Sequence, residues 1–299
     1  MAPRYDPPRA SREAQPSRSV ISSRDNRWLK EFRMALRGGL PTESGAVGVE
    51  GPRLVEEALR STCPIRAVLF SESGERFHSR LAPYLDRPEV SIPVLRTTDR
   101  LFEGIADTEH PQGVAALVHP RTYTFDDISR PSAQGAAPLI VVLAGVQDPG
   151  NVGTILRTAT AFGATAAVTA ASGQGGTASP FSPKALRASA GASLHLPLLS
   201  GAALPILLTQ FRAVEIHSLA SSSREADRGD RQPLLAPWEL DWRQPVALLI
   251  GNEGQGLPEE VERSADARIR IPMAPGVESL NAAAAAAVLF YEAARQRSC

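Results

Sequence analysis

Asp148, Pro149, Gly150 and Asn151 stand where the apolar run ending in LAGV gives way to NVGTILRTATAFGA, and Arg157 follows six residues after Asn151. Asn is a favoured helix N-cap and Gly admits close approach of backbone, so a capped strand-to-helix turn accounts for all four residues. It does not account for Arg157. Less than two turns into the helix, that side chain is near enough the strand ends to reach over them; the plainer alternative is an arginine on a solvated helix face.

Two more stretches have the same form. LLIGNEGQGLPEEV, residues 248–261, is glycine-rich after an apolar run. No Lys follows as in GxxxxGK[ST], and the loop is not a GxGxxG opening a long helix, which argues against a nucleoside triphosphate. Its Glu253 places a carboxylate at a glycine-lined strand end, where it repels phosphate and accepts hydrogen bonds from arginine, hydroxyl or amine groups. Farther on, RIRIPMAPGVESLNAAAAAAVLFYEAARQR ends a strand in a Pro-Met-Ala-Pro-Gly turn and opens a helix at Glu278, Ser279, Leu280 and Asn281. Ser279 or Asn281 serves as the cap. The six alanines, Ala282 to Ala287, are the best helix formers and also let other backbone approach closely.

The surrounding pattern supplies the scaffold. Residues 1–17 are rich in Pro, Ser and Arg with almost no large apolar side chain, and are expected to be a disordered tail. Residues 18–120 alternate helix and strand: helices at about 26–36 and 52–60, and strands in GAVGVEG, IRAVLFSES, SIPVLRTT and QGVAALVH. They read as a small α/β domain. Residues 121–137, punctuated by Pro and Gly, read as a linker. Residues 138–299 alternate again, with continuous apolar strands LIVVLAGV, TAAVTAA and PVALLIGNE each followed by a helix. Such strands imply a mostly parallel sheet covered on both faces, whose ligands sit at the carboxyl ends of the strands.

The 299 residues are 43% hydrophobic and 21% charged, enough for two globular domains, and the formal net charge is zero. A nucleic-acid partner must therefore meet a local basic surface, for which Arg18, Arg24, Arg27, Lys30, Arg33 and Arg37 are candidates. Cys63 and Cys299 have neither disulfide nor metal spacing. No apolar run is long enough to span a bilayer and no secretory signal is visible, so the expected location is the cytoplasm.

Taken in this order at three strand-to-helix junctions, the three stretches resemble the SpoU (TrmH-type) RNA 2′-O-ribose methyltransferases of the SPOUT class. DPGNVGTILRTATAFGA matches the first motif, LLIGNEGQGL the second and IRIPMAPGVESLNAAAAAAVLFYE the third, while SPKALRASAGASLHLPL looks like the segment between them. ISSRDN, VEGPRLVEEAL and DTEHPQGVAALV are similar to the substrate-binding domain that many members carry. The resemblance implies an α/β fold whose C-terminal parallel sheet is threaded into a trefoil knot, beside a smaller N-terminal α/β RNA-binding domain. It implies S-adenosylmethionine as cofactor, held at Gly251, Ile271 and Leu280, no metal, and a homodimer. Methyl transfer to a ribose 2′-hydroxyl of RNA follows, with ribosomal RNA favoured over transfer RNA by the separate N-terminal domain. Arg157 would act as base or as an electrostatic clamp, and Asn151, Glu253, Ser279 and Asn281 would position it and the ribose. A guanidinium works as a base only where its surroundings perturb it strongly. Two positions depart from the pattern: Ala283, where a polar residue is expected, and Ala144, where many members are acidic. A silent RNA-binding homologue and a nicotinamide-dependent oxidoreductase are the rival classes; the missing GxGxxG disfavours the second.

Overall fold

The computed structural model describes residues 20–86, 91–132, 135–171, 175–224 and 232–298. The expected N-terminal tail, Arg18 and Cys299 lie outside the described residues, as does most of the charged excursion after Ser221. The N-terminal unit comprises β1 (Val20–Ile21), α1 (Arg27–Leu36), β2 (Val47–Glu50), α2 (Pro52–Arg60), β3 (Ile65–Ser71), α3 (His78–Leu85), β4 (Val94–Thr97), α4 (Asp99–Glu103) and β5 (Val114–Val118). Its mixed sheet has the order β1-β4-β3-β5-β2, with β5 antiparallel to both neighbours. Helix α1 starts where the Asn26 side chain accepts from Trp28 N at 2.9 Å, and it buries Leu29, Phe32, Ala35 and Leu36, one apolar stripe at helical spacing.

The C-terminal unit comprises α5 (Phe125–Ser129), β6 (Leu139–Ala144), α6 (Pro149–Ala161), β7 (Ala166–Ala170), α7 (Pro183–Ala188), β8 (Leu198–Ala202), α8 (Leu204–Ala213), β9 (His217–Ser221), β10 (Leu234–Leu235), β11 (Val246–Ile250), α9 (Glu259–Ser264), β12 (Ala267–Ile269) and α10 (Ala282–Arg297). Seven strands form one all-parallel sheet in the order β10-β12-β9-β11-β6-β7-β8. Alternate residues of β6 enter opposite cores. Leu139, Val141 and Leu143 pack with α6 and α10, whereas Ile140, Val142 and Ala144 pack with α8 and α9. A strand buried on both faces carries no polar alternation, which is why it reads as an unbroken apolar run. From β6 the chain proceeds to β7 on one side, while β11 pairs on the other. The turn after β6 and the loop after β11 therefore meet where the strand order reverses, the position at which open α/β sheets bind ligands.

Three features differ from the sequence reading. The residues read as a linker carry α5, closed by a capping box between Thr124 and Asp127; Ile128 is buried against the sheet and the Phe125 ring lies 5.7 Å from Phe211. Two apolar residues at helical spacing, Phe125 and Ile128, outweigh the polar surroundings. β8 escaped notice because it is a half-exposed edge strand, LLSGA, with little apolar signal. Helix α6 begins at Pro149 with Asp148 as its cap, its side chain accepting from Gly150 N at 2.8 Å, so Asn151 lies inside the first turn and is not the cap.

The units are joined through α7 and the turn after it. Leu186 and Leu194 enter the core formed by β2, β3, β5 and α2, Cys63 Sγ donates to Leu194 O at 3.4 Å, and Arg187 pairs with Asp107 at 2.7 Å. Helix α7 crosses α6 so closely that a Cβ on Gly153 would lie 2.3 Å from Ala185 O. No other residue type fits there.

Candidate active site

The loop after β11 owes its shape to Asn252. Its Oδ1 accepts from Gly254 N and Gln255 N at 3.0 and 3.1 Å, and its Nδ2 donates to Gly145 O at 3.0 Å, tying the loop to the end of β6. Backbone bonds between Asn252 and Gly256 close it. A Cβ at Gly251 would sit 2.4 Å from Gly256 C and 2.5 Å from Leu257 N, so the loop folds back over a residue that must be glycine. Asn252 was not singled out in the sequence, although an Asn followed by Glu-Gly is the signal of an Asx turn.

This loop points Glu253 at the start of α6. The carboxylate accepts from Gln147 N and Asp148 N, both at 3.1 Å, and from Asn151 Nδ2 at 3.0 Å. Asn151 Oδ1 accepts from Asn281 Nδ2 at 3.2 Å, and Asn281 Oδ1 caps α10 by accepting from Ala283 N and Ala284 N at 2.9 and 3.3 Å. Every orientation along this relay is fixed, because a carboxylate only accepts and a helix N-terminus only donates. The positive end of α10 is thus coupled through two amides to one negative charge. Burial pushes the Glu253 carboxyl up, but the donors from Asn151, Asp148 and Gln147 outweigh it and hold the group below its ordinary value.

A depressed carboxyl stabilises the fold at and above its ordinary pKa of 4.5, and that contribution is lost as the pH falls through the lowered folded value. Glu253→Gln is accordingly expected to melt below the wild type at pH 7, with the gap closing only below about pH 4.5. Melting curves of both proteins from pH 7 to pH 3 check this; a gap that is constant with pH refutes it.

Beside the relay lies a cleft of about 370 Å³ whose lining includes Gly251, Ile271 and Leu280, the three residues expected to hold the cofactor, together with Glu253 and Ser279. Ala282 and Ala285 form part of its wall. Small side chains and free backbone groups there suit a flat heterocycle read by main-chain hydrogen bonds. The alanines of the wall leave room that larger residues would fill, and Gly251 lets the loop fold back beside it, so the residues present fit an adenosyl cofactor. Gly251→Ala is expected to weaken S-adenosylmethionine binding by about tenfold or more, roughly 1.4 kcal/mol, because the backbone of the loop must move. Calorimetric titration of the folded variant checks it, and unchanged affinity refutes it.

The structure brings Asn151, Glu253 and Asn281 together, and places Ser279 exposed on the cleft wall with no hydrogen bond to them. Arg157 is elsewhere. Six residues after Asn151 on the same helix, it is rotated by about 120° and displaced by about 9 Å along the axis. It is exposed and lines a second cleft, between the two units, that shares no residue with the first. Ala283 and Ala144, the two departures, are both buried in the cores, where apolar side chains belong. Of the basic cluster at α1, Lys30 pairs with Asp25, whereas Arg33 and Arg37 donate to Gly104 O, a neutral carbonyl that orients them and leaves their charge in place. Among the described residues no group of three or more His, Cys, Asp or Glu is placed to hold a metal, and no helix is long and apolar enough to cross a membrane.

Comparison with known proteins agrees with the fold and with the family resemblance. Residues 138–291 match the model of the SpoU rRNA Methylase family, and residues 42–116 match an MRM3-like substrate binding domain. The chain is 30% identical over 91% of its length to the 23S rRNA (guanosine(2553)-2′-O)-methyltransferase RlmP of Bacillus subtilis, covering 97% of that protein. It is 31% identical over 97% of its length to a 23S rRNA (uridine(2479)-2′-O)-methyltransferase of Streptomyces viridochromogenes, covering 96% of it. The crystal structure of the SpoU methyltransferase AviRb from the same organism, in complex with AdoMet, superposes with a TM-score of 0.74 at 28% identity, covering 91% of this chain and 98% of that one. With a seven-strand parallel sheet, a mixed N-terminal sheet and the family's motifs at three strand ends, the chain belongs to the SpoU rRNA methylase family.

Proposed function

We propose that this protein methylates a ribose 2′-hydroxyl of ribosomal RNA, using S-adenosylmethionine, as a cytoplasmic homodimer. The observation that carries the reading is the Glu253–Asn151–Asn281 relay at the mouth of the cleft containing Gly251, Ile271 and Leu280. When bound, the cofactor would supply an electrophilic methyl carbon on a sulfonium, passed in line to the ribose oxygen as its bond to sulfur breaks and the sulfur leaves as a neutral thioether. The protein must align that oxygen and stabilise the charge it acquires on losing its proton. Asn151 and Asn281 offer amide groups held in fixed orientation, and Ser279 adds a hydroxyl on the cleft wall. Arg157 supplies the positive charge, as base or as phosphate clamp.

Dimerisation gains support from two observations. Ala284, Val288 and Tyr291 form an exposed stripe along one face of α10, and Leu280, exposed just before the helix, lines the cofactor cleft. Arg157 lines a separate cleft in its own chain, so a second copy seated on the α10 stripe is the natural source of an arginine for this one. Cytoplasmic placement follows from the ribosomal substrate.

The test is methyl transfer from labelled S-adenosylmethionine to 23S ribosomal RNA, with transfer RNA as the comparison, followed by mapping of 2′-O-methyl positions. Label in one ribosomal ribose supports the proposal. Label in transfer RNA alone moves the substrate, and cofactor binding without any transfer assigns the chain to silent RNA binders.

A further inference from the structure

The second cleft, about 470 Å³, lies between α2 and the strand-β5 approach on one side and α6 and α7 on the other. Its acids are already engaged. Glu50 accepts from Asp107 N at 2.8 Å and from Thr108 Oγ1, Glu56 accepts from Arg80 Nε at 2.6 Å, and Glu57 contacts His195 Nε2 at 3.1 Å and Arg60 Nη1 at 3.3 Å. Arg187 is likewise paired, with Asp107. Three lining residues differ: Arg53, Gln112 and Arg157 are exposed and make no hydrogen bond or ion pair among the described residues.

Glu50 is met by neutral donors only, so two guanidiniums without an acidic partner stand against one such carboxylate; the surplus positive charge favours an anion, and a guanidinium fork matches phosphate oxygens in geometry as well as charge. Gln112 adds a different chemistry. Its free amide can both donate and accept, which complements a hydroxyl that does both, and among nucleic acids only RNA offers such a group at every sugar. The volume is that of a small-ligand pocket, suited to a single strand and too small for a duplex. Because Arg157 is one wall, whatever lies in this cleft adjoins the reacting nucleotide, whichever chain supplies the methyl group.

We propose that this cleft holds the ribose–phosphate backbone of the RNA strand beside the nucleotide being methylated, with Arg53 facing Arg157 across a phosphate and Gln112 on a neighbouring 2′-hydroxyl. The proposal rests on the methyltransferase reading above. It makes Arg53 and Gln112 positioning residues, contributed by the N-terminal unit to the reaction on the C-terminal one.

The experiment compares full-length wild type, Arg53→Ala, Arg53→Lys and Gln112→Ala by fluorescence anisotropy on a single-stranded 23S ribosomal RNA fragment and its DNA counterpart, and by kinetics of methyl transfer. Thermal melting followed by circular dichroism, with S-adenosylmethionine binding for the C-terminal unit, serves as the check that each variant is folded. Arg53→Ala should weaken RNA binding and raise KM by about tenfold, lower kcat far less, and reduce the salt slope of binding by about one. Arg53→Lys should restore the salt slope but only part of the affinity, since an ammonium keeps the charge and lacks the fork, whereas a packing role would leave the salt slope unmoved. Gln112→Ala should lower the preference for RNA over DNA. Unchanged KM, salt slope and RNA preference in folded variants overturn the cleft assignment while leaving the enzyme reading intact. A wild type that binds RNA but transfers no methyl group overturns the enzyme reading, and the cleft is then decided by the anisotropy arm. A wild type that binds no RNA overturns both.

Discussion

Arg157→Ala is expected to lower the single-turnover rate by roughly 100-fold or more, the usual effect of removing a group that meets developing charge, while S-adenosylmethionine affinity changes by less than about twofold. The separation of the two clefts is the reason. Arg157 lines none of the cofactor cleft, so its loss leaves that site intact, yet it is the one cation on α6 and its side chain has no partner among the described residues. A structural arginine would be tied down, as Arg297 is by four backbone carbonyls. Arg157→Lys is expected to rescue poorly, because an ammonium is a point charge without the planar fork. Rapid-quench assays with enzyme in excess over RNA check both variants; a wild-type-like rate for Arg157→Ala refutes the assignment.

How far the sequence carried this result depends on the range of the interactions. Gly251, Ile271 and Leu280 were named through the family resemblance of their motifs, and the structure places all three on one cleft. The relay was half legible. Asn151, Glu253 and Asn281 were each visible, but their hydrogen bonds join residues more than a hundred positions apart and depend on β6 and β11 being neighbours, which no local pattern encodes. Asn281 was one of two possible caps, and the structure selects it over Ser279 because its side chain accepts from two N–H groups of α10. Asn151, by contrast, had the composition of a cap and lost that place to Asp148, whose carboxylate also pairs with Lys184 at 2.7 Å. The second cleft could not be read at all. Its walls come from two units, and whether Arg53 is free depends on which acids have already found partners.

The largest effect on assembly is expected from Ala284→Arg or Val288→Arg. Ala283 and Ala286 are buried within the chain against α6 and the sheet, so the alanine run is not uniform: one face packs inward and the other, at 284 and 288, faces out. Val288 is 42% exposed and Tyr291 58%, next to one another along the helix and continuous with the Leu280 lip of the cofactor cleft. A charged side chain at the centre of a small, apolar interface holds the helices apart and is left without solvent, so either variant should shift a dimer to monomer in light scattering without lowering cofactor affinity. Methyl transfer should fall with the dimer if the arginine comes from the other chain. Mixing decides that point. With S-adenosylmethionine held well below the weakened Kd of Gly251→Ala, so that each variant is defective alone, Arg157→Ala and Gly251→Ala chains rebuild one complete centre in every mixed dimer if Arg157 of one chain serves the cleft of the other, giving about a quarter of wild-type activity at equal mixing. If each chain uses its own arginine, the mixed dimer contains no complete centre and the mixture stays as inactive as its parts. A wild type that is monomeric at micromolar concentration, or arginine variants that remain dimeric, returns the outward face of α10 to solvent and leaves Arg157 to reach its substrate within a single chain.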